Sequence, residues 1–369
     1  MRKEFSIYLD LIRFLAACLV VVYHSNLRAV VEPVLPASNY GHPAVIVFFV
    51  LSGYVIAFIT DRKENTPVEY WASRLSRIYS LAIPAILLSV ILDNVGERIE
   101  PSFYQGATTH DYGLLRAATS WLFINEIWTI SITAFSNVPY WSLCYEMWYY
   151  VMFSVLTFMK GGRRVAVLVL IALFLGPKIL LLAPLWFLGV VLYRWKAPER
   201  MPEWLGWVCT LGSIVAIVLF EHFDLTDVLT DTLKAAIGAQ ALKELTFSKF
   251  FLGDYLLGPI VYVNFLGMRR IAHRFSWLLL GAQRPIKACA GYTFSAYIYH
   301  QPLILFWAAV INGSPSGYAF YAGVISATVA SIWILGWLTE QRRFWLREQL
   351  RTELPKLARL PILRRLGAS

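Results

Sequence analysis

Apolar segments of roughly membrane-spanning length recur along the whole chain, and they constrain its fold more than any other feature. We identify ten, at about 7–25, 44–60, 78–92, 139–159, 165–176, 179–193, 204–220, 255–268, 290–311 and 318–338. A helix needs about 20 mostly apolar residues to cross the hydrocarbon core. Because 58% of the 369 residues are hydrophobic and only 15% are charged, we predict an all-α polytopic membrane protein in which residues 1–369 form a single membrane-embedded domain.

The net charge of +10 comes from short basic clusters between the apolar segments, at 2–3, 61–77, 160–164, 194–200, 269–287 and the C-terminal tail. This distribution is typical of the positive-inside rule and argues against nucleic-acid binding. All the clusters lie on one side of the membrane if the interrupted segment 114–130 does not cross it fully. We therefore expect about ten transmembrane helices plus a re-entrant or interfacial segment. Both termini would be cytoplasmic in the inner membrane, and the polar, amphipathic loop 221–249 would lie outside.

The first apolar segment carries three ionisable residues, Asp10, Arg13 and His24. Ionisable groups in hydrocarbon are costly and usually have a function or a partner. Arg13 and His24 are eleven residues apart, so a helix places them on one face and about 16 Å apart along its axis. Asp10 precedes Arg13 by three residues, at a spacing that allows an ion pair. A structural ion pair with a hydrogen-bonded core histidine is the alternative interpretation.

Two other short patterns have both a structural and a functional interpretation. Ser52 and Gly53 permit close helix packing in the second segment, as small residues do in membrane proteins. Arg74 and Arg77 share a helix face at the start of the third segment. Paired guanidinium groups suit phosphate binding, whereas a positive-inside anchor at the lipid headgroups would use the same residues.

Glu146 is an acidic residue within the aromatic, apolar stretch 141–150. Burial disfavours a charged carboxylate unless a cation or histidine pairs with it. No cation or histidine lies near it in sequence, so such a partner would have to come from another helix.

Several other chemistries find no support in the sequence. It has no P-loop, His-Glu-x-x-His or dinucleotide motif, and the glycines of 313–317 are misplaced for a nucleophile elbow. The four cysteines have no ligand-like spacing, and we expect buried free thiols with neither disulfides nor a metal site. A proton-coupled transporter or flippase using His24, Glu146 and His300 is the main alternative, although we find no internal repeat of the transporter kind.

Five segments, in the same order, resemble motifs of the acyltransferase family 3 membrane proteins: Leu9–Ala16 followed by His24, Phe48–Tyr54, Arg74–Arg77, Trp141–Glu146 and Tyr297–Pro302. The resemblance runs nearly end to end. It departs at Phe14, where the family usually has glycine. The chain also stops at Ser369 without the esterase-like extracytoplasmic domain that some members carry.

The resemblance implies transfer of an acyl group, usually acetyl, from acetyl-CoA to a hydroxyl of a carbohydrate in the envelope, in a secreted product or on a lipid carrier. Acetyl-CoA would be a substrate, and no bound cofactor or metal is implied. His24 would be the general base and Glu146 would orient it or stabilise its cation. Donor binding would fall to Arg13, Arg74 and Arg77, with supporting roles for Asp10, Ser52, Gly53, Trp141, Ser142 and His300.

Overall fold

The computed structural model describes residues 1–28, 30–108, 111–196 and 200–358. Within these ranges the chain forms sixteen α-helices: α1 (Lys3–Leu27), α2 (Gly41–Lys63), α3 (Pro67–Ile99), α4 (Gly113–Trp121), α5 (Trp141–Phe158), α6 (Gly161–Leu175), α7 (Pro177–Arg194), α8 (Glu203–His222), α9 (Leu225–Ile237), α10 (Ala239–Glu244), α11 (Phe251–Ile271), α12 (Ser276–Gly281), α13 (Gln283–Ala290), α14 (Thr293–Ile311), α15 (Tyr318–Leu338) and α16 (Arg343–Ala358). The fold is all-α, as predicted. Residues 359–369 of the basic C-terminal tail and residues 197–199 of the basic link lie outside the described residues.

Membrane crossing follows from helix length and composition. In the described part of the chain, eight segments are long and apolar enough to cross a bilayer, and they contain α1, α2, α3, α7, α8, α11, α14 and α15. The other two predicted crossings are α5, which is rich in tyrosine and tryptophan, and α6, which has only 15 residues. A helix of that length extends about 22 Å, against a hydrocarbon core of about 30 Å. The prediction of a polytopic membrane protein is confirmed.

The interrupted segment 114–130 contains a single short helix, α4, of nine residues, followed by turns. Such a helix is about 14 Å long, so this segment does not cross the membrane as a helix. A buried ion pair holds it in place, because Nζ of Lys178 lies 3.0 Å from Oε2 of Glu126. The same ammonium donates to the carbonyl of Ile130 at 2.5 Å. Burial raises the pKa of Glu126, and Lys178 opposes that rise.

The bundle has two distinct ends. Residues from the start of α1, the end of α2, the start of α3 and α16 line one cavity, so they share one end, which we call the terminal face. Residues from the end of α1, the start of α2, the end of α8 and the connections 131–139 and 243–250 line another cavity. We call this opposite end the loop face. The predicted orientation would make the terminal face cytoplasmic.

Glycines on both helices bring α2 and α7 into backbone contact. A Cβ atom on Gly53 would lie 1.9 Å from the carbonyl oxygen of Trp186, and one on Gly189 would lie 1.9 Å from the carbonyl oxygen of Val50. Only glycine fits at such a crossing. The expected close approach at Gly53 is therefore present, and it fixes the position of neighbouring Ser52.

All four cysteines are free thiols, as expected. Only Cys144 is buried. Cys209 is half-buried, and Cys18 and Cys289 are exposed on the surface of the bundle, so the expectation that all four are buried is wrong. Apolar sequence around a cysteine did not predict burial here, because a lipid-facing helix surface is equally apolar.

Candidate active site

Three cavities follow one another between the two faces. The terminal cavity has a volume of about 460 Å³, the central cavity about 60 Å³ and the loop cavity about 730 Å³. Arg13 and Arg77 line both the terminal and the central cavity. Val45 and Tyr297 line both the central and the loop cavity. Each cavity therefore shares lining residues with the next.

His24 lies on α1 at the wall of the loop cavity and is 8% exposed. Its Nδ1 is 2.9 Å from the carbonyl oxygen of Val20. Its other partner is His300 of α14, which is fully buried and whose Nε2 lies 3.1 Å from the same nitrogen. The two rings are 4.9 Å apart and inclined at 57°. The two histidines thus form a buried pair.

The carbonyl groups around this pair assign its protons. Nδ1 of His300 lies 3.0 Å from the carbonyl oxygen of Ala296 and 2.8 Å from that of Tyr297. Carbonyl oxygens only accept, so Nδ1 of a neutral His300 carries its proton and Nε2 is an acceptor. Nδ1 of His24 must then donate, to His300 and to the carbonyl of Val20. This tautomer leaves Nε2 of His24 with a free lone pair, as a general base requires.

Glu146 lies in the wall of the central cavity. Its Oε1 accepts hydrogen bonds from the Ser52 hydroxyl at 2.7 Å and from the Tyr150 hydroxyl at 2.5 Å. His24 is therefore oriented by His300, whereas Glu146 is held by two hydroxyl groups. The expected direct pairing of Glu146 with His24 is absent from this arrangement, because the two side chains line different cavities.

Ser142 and Tyr297 lie between the surroundings of Glu146 and those of His24. The Ser142 hydroxyl lies 2.6 Å from the Tyr297 hydroxyl, and both residues line the central cavity. Tyr297 also lines the loop cavity, next to His24. This hydroxyl pair therefore lies at the junction between the cavity of Glu146 and the cavity of His24.

The predicted Asp10–Arg13 pair is present, with Nη2 of Arg13 3.3 Å from Oδ1 of Asp10. The same nitrogen donates to the carbonyl of Ala290 at 2.8 Å. Asp10 lines only the terminal cavity, and Arg13 reaches both the terminal and the central one. A guanidinium in this position can meet a ligand that extends from the terminal face inward.

The two predicted donor-binding arginines of α3 have different surroundings. Arg74 is 2% exposed and forms a buried ion pair with Glu64. Arg77 makes no ion pair or hydrogen bond in the geometry of the described residues, and its guanidinium lies 5.5 Å from the ring centroid of Phe294. Both line the terminal cavity. Arg77 is thus available for an anion, and Arg74 is already neutralised by a carboxylate.

The loop cavity combines aromatic and polar groups. Trp141 stacks on Phe247 with ring centroids 4.6 Å apart and planes 3° apart. Nε2 of His42 lies 2.7 Å from Oδ1 of buried Asp254. The charged residues of the wall are Glu221, Asp224, Asp227, Lys243 and Lys249. Flat rings with convergent carboxylates suit a ligand that has both apolar faces and many hydroxyl groups.

Some site residues escaped the sequence analysis although simple signals pointed to them. Tyr150 follows Glu146 by four residues, the spacing at which helical side chains meet. Arg343 and Arg347 also line the terminal cavity, although in the sequence they are simply part of a basic tail. Glu64 belongs to the charge cluster 61–77 in the sequence, whereas in the structure it is 2% exposed and lies between two arginines.

The chain resembles known proteins over most of its length. The family model described as an acyltransferase domain matches residues 6–337. The peptidoglycan O-acetyltransferase OatA of Listeria monocytogenes is 24% identical over 348 residues, which cover 82% of this chain and 50% of that protein. The chain thus spans about half the length of this relative.

Two further relatives cover different shares of the chain. An O-acetyl transferase of Shigella phage Sf6 is 28% identical over 365 residues, 95% of this chain and 97% of that protein. The acyltransferase MdmB of Streptomyces mycarofaciens is 32% identical over 122 residues, 32% of this chain and 29% of that protein. No solved structure matches.

Proposed function

The chain belongs to the acyltransferase family whose model it matches, and we propose that it transfers an acetyl group from acetyl-CoA to a hydroxyl of a carbohydrate. The carbohydrate would be part of the envelope, an exported product or a lipid-linked glycan. The names of the Listeria and phage relatives support O-acetylation. We further propose that the protein lies in the inner membrane with its terminal face in the cytoplasm, where acetyl-CoA is made.

The donor enters at the terminal face. The arginines of the terminal cavity attract its phosphate groups, since guanidinium–phosphate hydrogen bonds are charge-assisted and often bidentate. The thiol arm of the donor then extends past Arg13 and Arg77 into the central cavity, which is too narrow for the nucleotide part. Its thioester reaches the junction formed by Ser142 and Tyr297.

The acceptor enters from the loop face. Its sugar ring packs on the stacked pair of Trp141 and Phe247, and its hydroxyl groups donate to carboxylates of the cavity wall. One hydroxyl reaches Nε2 of His24, which has no other assigned partner once Nδ1 donates to His300.

Transfer is then direct. Nε2 of His24 takes the proton of the acceptor hydroxyl as its oxygen bonds to the thioester carbonyl carbon. The hydroxyl of Ser142 or of Tyr297 donates to the developing oxyanion once it leaves the hydrogen bond that now joins the two. The carbon–sulfur bond breaks, and the CoA thiolate leaves and receives the proton from His24. Glu146 holds Ser52 and Tyr150 in place and keeps a negative charge near the arginines.

The observation that carries this proposal is the His24–His300 pair: His24 lines the loop cavity, and the central cavity shares lining residues with both the loop cavity and the arginine-lined terminal cavity. We would express His24→Ala and measure O-acetyl groups on envelope glycans by mass spectrometry, with CoA binding measured on the purified protein. General-base catalysis contributes about 10²–10⁴-fold, so acetylation should fall nearly to background while CoA binding persists. His222→Ala is the matched control, because His222 lies at the loop face outside the loop cavity. Wild-type acetylation by His24→Ala would refute the mechanism.

A further inference from the structure

Helix α16 follows the last apolar helix and lies across the terminal face. It packs against α3, and three of its side chains, Arg343, Phe344 and Arg347, line the terminal cavity. The C-terminal helix therefore forms part of the wall of the cavity to which the donor is assigned. Neither the family's sequence motifs nor the comparisons attribute a role to it.

The terminal cavity has a strongly positive wall. Seven basic side chains and two acidic ones, Asp10 and Glu64, line it in the described structure. The basic ones come from α1, α2, α3 and α16: Arg13, Arg62, Lys63, Arg74, Arg77, Arg343 and Arg347. Like charges gathered around one cavity repel each other unless an anion joins them. The cavity therefore suits a ligand with several negative charges.

Glu64 joins the two helices that contribute most of this charge. Its carboxylate pairs with Arg74 of α3 and lies 3.5 Å from Nη2 of Arg347 of α16. The Nε atoms of Arg13, Arg74 and Arg347 are buried and have no hydrogen-bond partner in the described residues. Each of these guanidiniums is thus held in position with part of its donor capacity unused. A pre-positioned set of guanidinium donors fits oxyanions such as phosphate groups, which it can bind bidentately.

A later turn of α16 forms an ion pair with α3. Nη2 of Arg351 lies 3.3 Å from Oε1 of Glu69 on α3, and Nζ of Lys356 lies 2.7 Å from Oε1 of Glu353. Neither Arg351 nor Lys356 lines the cavity. Arg351 therefore helps to dock α16 without lining the cavity, whereas Arg347 lines the cavity and also pairs with Glu64. A variant at Arg351 and a variant at Arg347 each lose one docking ion pair, and only the second loses a charge from the cavity wall.

We propose that Arg343 and Arg347 bind phosphate groups of the acyl donor, so that α16 completes the donor site opposite α3. Glu64 is a positioning residue, which holds Arg74 and Arg347 beside each other through its two carboxylate oxygens. This inference rests on the proposed function for the identity of the donor. Two ligands could supply the phosphate groups that these arginines recognise. One is the acyl donor, and the other is an anionic lipid headgroup at the membrane surface.

The test compares two double variants in purified, detergent-solubilised protein. Arg343→Gln/Arg347→Gln removes the two cavity-facing charges. Arg351→Gln/Lys356→Gln removes the same charge from the same helix and also removes one docking ion pair. We would measure the Kd of CoA and the constant for inhibition of acetyl transfer by pantetheine, which has the thiol arm of CoA without its phosphate groups. Native mass spectrometry would report bound phosphatidylglycerol.

The cavity variant should raise the Kd of CoA at least tenfold, because hydrogen bonds to charged groups are among the strongest in proteins. Pantetheine inhibition should stay unchanged, which also shows that the variant is folded. The control variant should bind CoA as wild type does. A CoA Kd unchanged in the cavity variant, or raised equally in the control, would overturn the inference. Loss of phosphatidylglycerol with unchanged CoA affinity would assign the arginines to a lipid instead. If the wild-type protein itself fails to bind CoA, the proposed donor is wrong, which is a separate result.

Discussion

Replacing Gly53 by alanine tests how the packing of α2 against α7 positions the site. The added methyl carbon would lie 1.9 Å from the carbonyl oxygen of Trp186 and 3.0 Å from its carbonyl carbon. Carbon–oxygen contacts in proteins close to about 3.3 Å at the shortest. The overlap is therefore about 1.4 Å, and it involves backbone atoms of a buried helix that cannot rotate away.

Relief of this overlap requires α2 and α7 to separate or shear. Overpacking costs typically 1–3 kcal/mol, and we expect about 3 kcal/mol here because both atoms belong to helices. The shift also reaches the active site, since the hydroxyl of adjacent Ser52 is only 2.7 Å from Glu146. A displacement of about 1 Å would exceed hydrogen-bond range. Misplacement of that size can reduce an enzymatic rate by about 10².

Gly212→Ala is the matched control. Gly212 lies within α8, and a methyl group there meets nothing within 4 Å. Alanine is favoured over glycine in a helix by roughly 0.5–1 kcal/mol, so this variant should be neutral or slightly more stable. The unfolding midpoint in detergent and O-acetyl transfer would be measured for both variants. Equal stability and activity of Gly53→Ala and Gly212→Ala would show that the α2–α7 contact does not position the site.

Three further predictions concern other parts of the molecule. Glu146→Gln keeps the shape of the side chain but loses its charge, so acetyl transfer should fall to a level between wild type and His24→Ala; a wild-type rate would exclude a role for the carboxylate. Lys178→Met leaves the carboxylate of Glu126 buried without its cation and should destabilise the protein by about 3–5 kcal/mol. Adding Glu126→Gln should restore part of the lost stability. Equal melting temperatures of the single and double variants would contradict this. In a background without cysteines, an impermeant thiol reagent should label Thr232→Cys of α9 in intact cells and Gln349→Cys of α16 only after lysis, and the reverse pattern would overturn the orientation.

Features that depend on local spacing could be predicted from the sequence. The lengths of the apolar segments predicted the long helices, and the distribution of charge predicted that residues 114–130 do not fully cross the membrane. The three-residue spacing of Asp10 and Arg13 predicted their ion pair, which forms at 3.3 Å. Ser52 and Gly53 predicted a close helix contact, which Gly53 makes with α7. In each case the interaction lies within one helix or follows from the size of one residue.

Features that depend on which helices are neighbours could not be predicted. His24 and His300 are 276 residues apart and meet only because α1 packs on α14. Sequence predicts the depth of a residue in the membrane, and the predicted spans place Glu146 and His24 towards the same side. Sequence does not give the direction in which each helix faces, so the predicted pairing of Glu146 with His24 rests on depth alone. Likewise, spacing identified Arg74 as a cation but not the carboxylate of Glu64 that neutralises it.

The size of the central cavity bears on whether the protein transfers a group or transports a molecule. At about 60 Å³, it has room for a few water molecules, which is less than a whole sugar or nucleotide needs. Helix α2 supplies seven of its fifteen lining residues, and the glycine contacts at Gly53 and Gly189 tie that helix to α7. The thioester end of a donor with a two-carbon acyl group is the kind of group that fits such a passage. The nucleotide part of the donor would then stay at the terminal face, the sugar would stay at the loop face, and only the acetyl group would change sides. A transporter or flippase needs the opposite design, with a central cavity as large as its cargo.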